Sequence, residues 1–402
     1  MGNPDVFVVC THLRENEAAY RRVSYFVKYF RLRGLRVFCV GFLRFSEHGV
    51  ARPSSECYGF PLFVSTQHIA NSLLKAVLLL LNTVLSLTLA IIILVFRPRI
   101  VLLSVPGTQP VIATYLGCLL AKSKLIIDVR DPKEEIIAHT YKKGLPSLVA
   151  KIYKRINYSI YRRANAIVGV TRTLITMLAN AIRRSVYLAP NGADLEIFKP
   201  IDRKEARRTL GLNQNSFLIA YIGDLTIRGY YNVLPVLTAI KKVREKTGID
   251  VELVVAGPVY GREAESVIEG FKDVLRYMGV FNAKGVVTLL SACDVGVIPR
   301  IKDPVFDYAI PAKVYEYIAT GLPVIVTANR ESELAKIVNE NKLGLVCEPG
   351  DQVCLENAIT TLATNKDLLD ELRRNVLAFR SRVDRRIGAE RLYRLINELL
   401  EG

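Results

Sequence analysis

Pro311-Ala312-Lys313-Val314-Tyr315-Glu316-Tyr317-Ile318-Ala319-Thr320-Gly321-Leu322-Pro323-Val324-Ile325 reads as a helix that opens on a lysine, with a glutamate three residues further on. Gly321-Leu322-Pro323 stops the helix, and the apolar run Val324 to Val326 predicts a buried strand. A helix N-terminus gathers unpaired backbone N–H groups and partial positive charge, so it suits phosphate oxygens. A carboxylate one turn inside suits the hydroxyls of a sugar. Together these features fit a nucleotide-sugar. The same segment also reads as an ordinary helix-to-strand unit of an α/β sheet.

Outward from this segment, short apolar runs alternate with helical periods, which predicts parallel, doubly wound sheets. In the first half the strands are Val6–Cys10, Arg36–Gly41, Ile100–Val105, Leu125–Asp128 and Ala166–Val170. Helices are expected near 16–33, 111–121, 147–163 and 172–182. A charged stretch at 199–209 precedes a second series of strands: Phe217–Ile222, Val251–Ala256, Val295–Ile298, Val324–Val326 and Leu345–Cys347. Helices near 230–246, 261–271, 313–320 and 353–363 fall between them, and a charged amphipathic tail follows over 367–400. A chain of 402 residues, half of them apolar, supports two domains joined near residue 200.

The charge is lopsided. Residues 1–195 hold 26 Lys and Arg against 10 Asp and Glu, whereas the remainder holds 29 against 28. The first half is therefore expected to face a polyanion, either a membrane surface or nucleic acid. The seven cysteines are scattered without a CxxC pair, which predicts a reducing compartment and neither a disulfide framework nor structural zinc. The start, MGNPDVFVVC, runs directly into a strand and reads as free of a signal peptide.

Leu73 to Phe96 is mostly apolar and long enough to span a bilayer. A span would put strands of one sheet on opposite sides of the membrane. The segment is therefore expected to be one over-long helix, packed on the sheet at its C-terminal end and bedded in a membrane face at its N-terminal end. Helices 16–33 and 147–163 interleave basic residues with aromatics, which suits the headgroup layer. Single-stranded nucleic acid would accept the same composition, but no recognition module is visible and no nucleic-acid partner is expected.

Ala189-Pro190-Asn191-Gly192-Ala193-Asp194-Leu195-Glu196-Ile197-Phe198-Lys199-Pro200 is, as physics alone, a turn with an anchored exit. Combined with Pro311–Ile325 it resembles the GT-B glycosyltransferases, most closely the large family 4, whose interdomain turn reads Pro-Asn-Gly-x-Asp-x-x-x-Phe. Ala220–Asp224 through Arg228-Gly229, Val254–Pro258 and Ala292–Pro299 are similar to further segments of that family, so the likeness covers nearly the whole chain. It implies two Rossmann-like domains facing a cleft. Residues 1–195 would form an acceptor-binding, membrane-facing domain and 196–380 a nucleotide-sugar-binding domain. Residues 381–402 would form a helix returning to the first domain.

The resemblance implies transfer of a sugar from a nucleoside-diphosphate sugar, with no metal on the diphosphate and no cofactor beyond a UDP- or GDP-sugar. Glu316 matches the glutamate that holds the ribose. Lys313 and Arg228 are candidates for the diphosphate charge, Arg228 standing where a lysine is usual. Gly223, Tyr308, Ala309 and Ile310 lie in the loops assigned to the donor. Three departures stand out: Tyr308 occupies the position of the first glutamate of the family's pair, Asp224 that of an arginine, and Thr11–Asn16 replaces a glycine-rich loop.

On the acceptor side, Asp128-Val129-Arg130-Asp131-Pro132 ends a strand, where open α/β sheets place ligands. Asp131 and, by its match to a family histidine, His139 are the candidate catalytic groups; Glu134 and Glu135 lie beside them. His12, Arg14, Arg130 and Gly107 are candidates for contacts to acceptor or phosphate. The Pro-x-Lys-x-x-Glu variant resembles enzymes that glycosylate polyprenyl-linked or other lipid acceptors. A peripheral or monotopic enzyme at the cytoplasmic membrane face is the resulting expectation, with retention expected and inversion open. A soluble enzyme for a free sugar or small molecule, and an inactive partner subunit, are the alternatives.

Overall fold

The computed structural model describes residues 3–10, 18–46, 49–50, 56–64, 72–105, 109–141, 143–225 and 230–402. The chain divides into two compact units, Met1–Pro190 with Ile387–Gly402, and Asn191–Arg386. The boundary thus falls slightly before residue 195, and the returning segment begins at Ile387 rather than at 381.

In unit 1, β1 (Val6–Cys10), β2 (Val37–Ser46), β3 (Gly49–Val50), β4 (Tyr58–Val64), β5 (Ile100–Val105), β6 (Lys124–Val129), β7 (Ala166–Gly169) and β8 (Tyr187–Leu188) make one sheet. Its order is β3-β2-β1-β5-β6-β7-β8, with β4 also paired to β2. Among the described residues only the short β2–β3 pairing of this sheet is antiparallel. Every residue of β1 and β5 is buried, as expected of strands covered on both faces. The helices are α1 (Ala18–Leu32), α2 (Ser72–Ser86), α3 (Thr88–Phe96), α4 (Gln109–Ala121), α5 (Lys133–Thr140), α6 (Gly144–Arg163) and α7 (Arg172–Ile182).

Unit 2 holds a wholly parallel sheet of β9 (Phe217–Ile222), β10 (Val251–Ala256), β11 (Leu275–Tyr277), β12 (Val295–Pro299), β13 (Val324–Thr327) and β14 (Gly344–Cys347). Its order is β11-β10-β9-β12-β13-β14. Around it run α8 (Arg203–Leu210), α9 (Leu234–Thr247), α10 (Arg262–Gly270), α11 (Ala283–Ala292), α12 (Ala312–Ala319), α13 (Glu333–Glu340), α14 (Gln352–Thr364) and α15 (Lys366–Phe379). Asp294, at the foot of β12, accepts from the Leu218 N–H, Arg203, Arg207 and Arg373, tying α8 and α15 to the sheet. The final helix, α16 (Arg385–Glu401), lays Ala389, Leu392 and Ile396 into the core of unit 1, where Tyr393 stacks on Phe30.

Three sequence expectations are corrected. First, Leu73–Phe96 is not one helix. The Ser86 hydroxyl bonds the Thr83 carbonyl at 2.6 Å and the Thr88 hydroxyl bonds that of Leu85 at 2.8 Å, which breaks the helix at Leu87. Among the described residues no helix is long and apolar enough to cross a membrane.

Second, α1 does not offer its aromatics to a headgroup layer. Tyr20, Phe26, Tyr29 and Phe30 are core residues, and Lys28 and Arg31 pair with Glu56. The aromatics of α6 likewise turn inward, with Tyr153, Tyr158 and Tyr161 all buried. Third, two disulfides are present: Cys39–Cys57 joins β2 to the start of β4, and Cys347–Cys354 joins β14 to α14. Their Cα atoms stand 4.6 and 5.7 Å apart, a proximity that spacing along the chain does not reveal.

Candidate active site

In unit 2 the strand order reverses between β9 and β12, the place where open parallel sheets bind ligands. α12 follows β12 there, and the residues beneath it explain its position. Gly296 in β12 leaves room for the Tyr317 ring: a Cβ would lie 2.3 Å from it. Tyr317 is fully buried, and its hydroxyl accepts the Ile222 N–H at 3.0 Å. α12 is thereby drawn onto the end of β9. One turn earlier, Lys313 lies so close over Gly223 that a Cβ there would stand 2.7 Å from Nζ. Gly223 also has a φ of 133°, a conformation that side chains rarely adopt.

The Lys313 ammonium is enclosed by aromatic faces, 4.2 Å from the Tyr221 ring centre and 3.9 Å from that of Tyr231. Burial pushes its pKa down to about 7, against the opposing pull of Asp224 and Glu316. Burial also raises the Asp224 carboxyl, while Lys313 lowers it. Glu316 is 1 % exposed. Pro311 occupies the N-cap of α12 and no side chain caps the helix, so its first amides are not claimed by a capping group.

The loop before α12 carries Tyr308, Ala309 and Ile310. Tyr308 ends a 3-10 turn (Pro304–Tyr308) and is half-buried, as is Ala309; Ile310 is buried. Asn329 donates to Asp307 at 3.2 Å, and burial raises the Asp307 carboxyl. Arg300, at the end of β12, donates to the Phe306 carbonyl. The structure therefore gathers Gly223, Lys313 and Glu316 around the ends of β9 and β12. Arg228 lies outside the described residues.

No local sequence signal marks the tyrosines enclosing Lys313, or Tyr317 behind it. Tyr221 sits in the run Ala220–Asp224, but a strand buried on both faces has no polar alternation to tell which side a residue takes.

In unit 1, Asp131 follows β6 directly and is half-buried, while His139 is exposed in the last turn of α5. Arg130 is 7 % exposed; among the described residues its Nε and Nη2 have no hydrogen-bond partner, and burial lowers its pKa despite Asp128 nearby. The neighbouring carboxylates have structural partners. Glu134 accepts from Asn157 and Tyr161, and Glu135 from Lys154 and Tyr158, which fastens α5 to α6. Asp128 is fully buried and accepts two bonds from Arg22 and one from Ser104. His12, Arg14 and Gly107 lie outside the described residues.

Residues 216–365 match the model of the family described as glycosyl transferases group 1. A probable glycosyltransferase, WbjE of Pseudomonas aeruginosa, is 23 % identical over 263 residues, covering 63 % of this chain and 64 % of the relative. The chain thus spans less than two thirds of that relative. Among solved structures, sucrose-phosphate synthase from Thermosynechococcus elongatus superposes with a TM-score of 0.72 at 15 % identity, covering 98 % of this chain and 99 % of that one. HepE of Anabaena, solved in complex with UDP-glucose, gives 0.70 at 13 % identity over 98 % and 99 % of the two chains. Residues 216–365 are thus similar to the glycosyl transferases group 1 family, and the fold is that of the GT-B glycosyltransferases.

Proposed function

We propose that the chain moves a sugar from a UDP- or GDP-sugar, bound by unit 2, to a lipid-linked acceptor engaged by unit 1 at the face of a membrane. The observation that carries this reading is the pairing of Lys313 with Glu316 on α12, at the strand-order reversal, with the glutamate withdrawn from water. Glu316 accepts the ribose hydroxyls. Lys313, the N-terminal end of α12 and Arg228 meet the diphosphate, so no metal is required there. Gly223, Tyr308, Ala309 and Ile310 line the donor. The basic character of unit 1 supports a lipid-phosphate acceptor, which Arg130, with His12, Arg14 and Gly107, would engage.

In the reaction the bond from the anomeric carbon to the diphosphate breaks, and the acceptor oxygen bonds that carbon. The acceptor proton passes to the leaving phosphate in a retaining reaction, or to Asp131 in an inverting one, with His139 a second candidate base. Lys313 meets the charge that develops on the departing diphosphate.

A thermal-shift panel of UDP-, GDP- and ADP-sugars tests the donor. At concentrations well above Kd, a UDP- or GDP-sugar is expected to raise the melting temperature by about 5 °C or more. No shift with any of them would overturn the reading in favour of an inactive partner subunit.

The pH dependence follows from Lys313. A diphosphate ester stays ionised through the neutral range, so donor binding favours the protonated amine. With the free lysine titrating at about 7, donor affinity is expected to be full below that value. It should weaken above it, approaching tenfold per pH unit. Calorimetric titration between pH 6 and 9 reads this directly, and Lys313→Arg should flatten the profile.

A further inference from the structure

The strongest feature not used by sugar transfer is a set of aliphatic side chains that unit 1 turns outward. α2, α3, α4 and α6 pack on one another. On α6, Leu145, Leu148, Ile152 and Ile156 recur at helical spacing and all are exposed. On α4, Leu116, Leu119 and Leu120 are exposed, Leu120 by 63 %. α3 adds Ile91 and Val95, the latter 72 % exposed. α2 adds Val77, Leu80 and Val84 on one side of the helix. Single exposed aliphatics are ordinary, but four adjoining helices each with an outward apolar stripe are not.

Charge accompanies the stripes. Residues 72–127 and 141–193 contain no Asp or Glu. On α6 the exposed Lys151 and Arg155 sit beside Ile152 and Ile156. We propose that this face of α2, α3, α4 and α6 is the surface by which the enzyme lies on an anionic bilayer, its aliphatics entering the acyl boundary and its lysines and arginines meeting lipid phosphates.

Two observations favour a bilayer over a protein. A second copy would bring basic residues against basic residues. The outward residues are leucine, isoleucine and valine, which suit the acyl boundary, with lysine and arginine beside them on α6. The docking is in-plane, since no described helix is long enough to cross. This places the membrane contact on α2–α4 and α6 and removes α1 from it. The inference deepens the lipid-acceptor reading but does not depend on the donor site.

The test is flotation of the full chain with vesicles of phosphatidylcholine containing phosphatidylglycerol, and with phosphatidylcholine alone. The wild type is expected to bind the anionic vesicles and to be weakened, not released, by salt. Leu119→Glu with Leu148→Glu should lower the partition coefficient about tenfold or more while leaving the melting temperature and the UDP- or GDP-sugar thermal shift unchanged. Lys151→Ser with Arg155→Ser should reduce the preference for anionic vesicles. Wild type that stays unbound, or Glu variants that bind like wild type, would overturn the proposal. So would sedimentation showing a dimer that the Glu variants dissolve without any vesicle binding. Loss of the donor shift with vesicle binding intact would instead count against the function proposed above and leave this face standing.

Discussion

Glu316→Ala is expected to abolish sugar transfer, lowering kcat/KM by at least about a hundredfold, because two charge-assisted hydrogen bonds to a ribose each contribute roughly 1.5–3 kcal/mol. The fold should survive. A carboxylate 1 % exposed sits there at a desolvation cost, so its removal should leave the melting temperature unchanged or raise it. That combination, activity lost and stability kept, separates a donor ligand from a helix-packing residue. Turnover by the purified variant within a few-fold of wild type would remove Glu316 from the donor site. Glu316→Gln, which keeps the shape but weakens the acceptor, should fall between the two.

Arg22→Met is expected to give the largest loss of stability. The Arg22 guanidinium is buried against the equally buried Asp128 at 2.9 and 3.1 Å, and it also donates to the carbonyls of Ala189 and Pro190 at 2.8 and 2.9 Å. Removing it strands a buried carboxylate, at a cost of about 3–5 kcal/mol. For a domain of this size that corresponds to roughly a 10 °C fall in the unit 1 transition, read by calorimetry. Adding Asp128→Asn to Arg22→Met should recover part of the loss, because the stranded charge is then gone. Equal melting of wild type and Arg22→Met would show that the pair is not structural.

These two residues also mark how far the chain could be read. Glu316 was legible because its signal is local: a helix start, a lysine three residues before, and Gly321-Leu322-Pro323 after it. The role of Arg22 is hidden for the opposite reason. It lies among tyrosines and basic residues, a pattern that suits a membrane surface, yet its partner Asp128 is more than a hundred residues away and only the sheet brings them together. Glu134 and Glu135 repeat the lesson. They stand close in sequence to Asp131 and His139, but their oxygens are taken up by α6.

Short-range pattern was sufficient for the α/β class, the two-unit division and the helix that carries Lys313 and Glu316. Burial on both faces makes parallel strands continuously apolar, and helix ends leave their marks in neighbouring residues. Which faces turn inward depended on long-range packing, so tertiary structure alone closed Tyr221 and Tyr231 over Lys313 and paired Cys39 with Cys57. It also turned the aromatics of α6 into the core and its aliphatics to the outside. The physical reason is the same in each case: periodicity along a chain shows that a helix or strand has two sides, and only the neighbour that covers one of them selects which is buried.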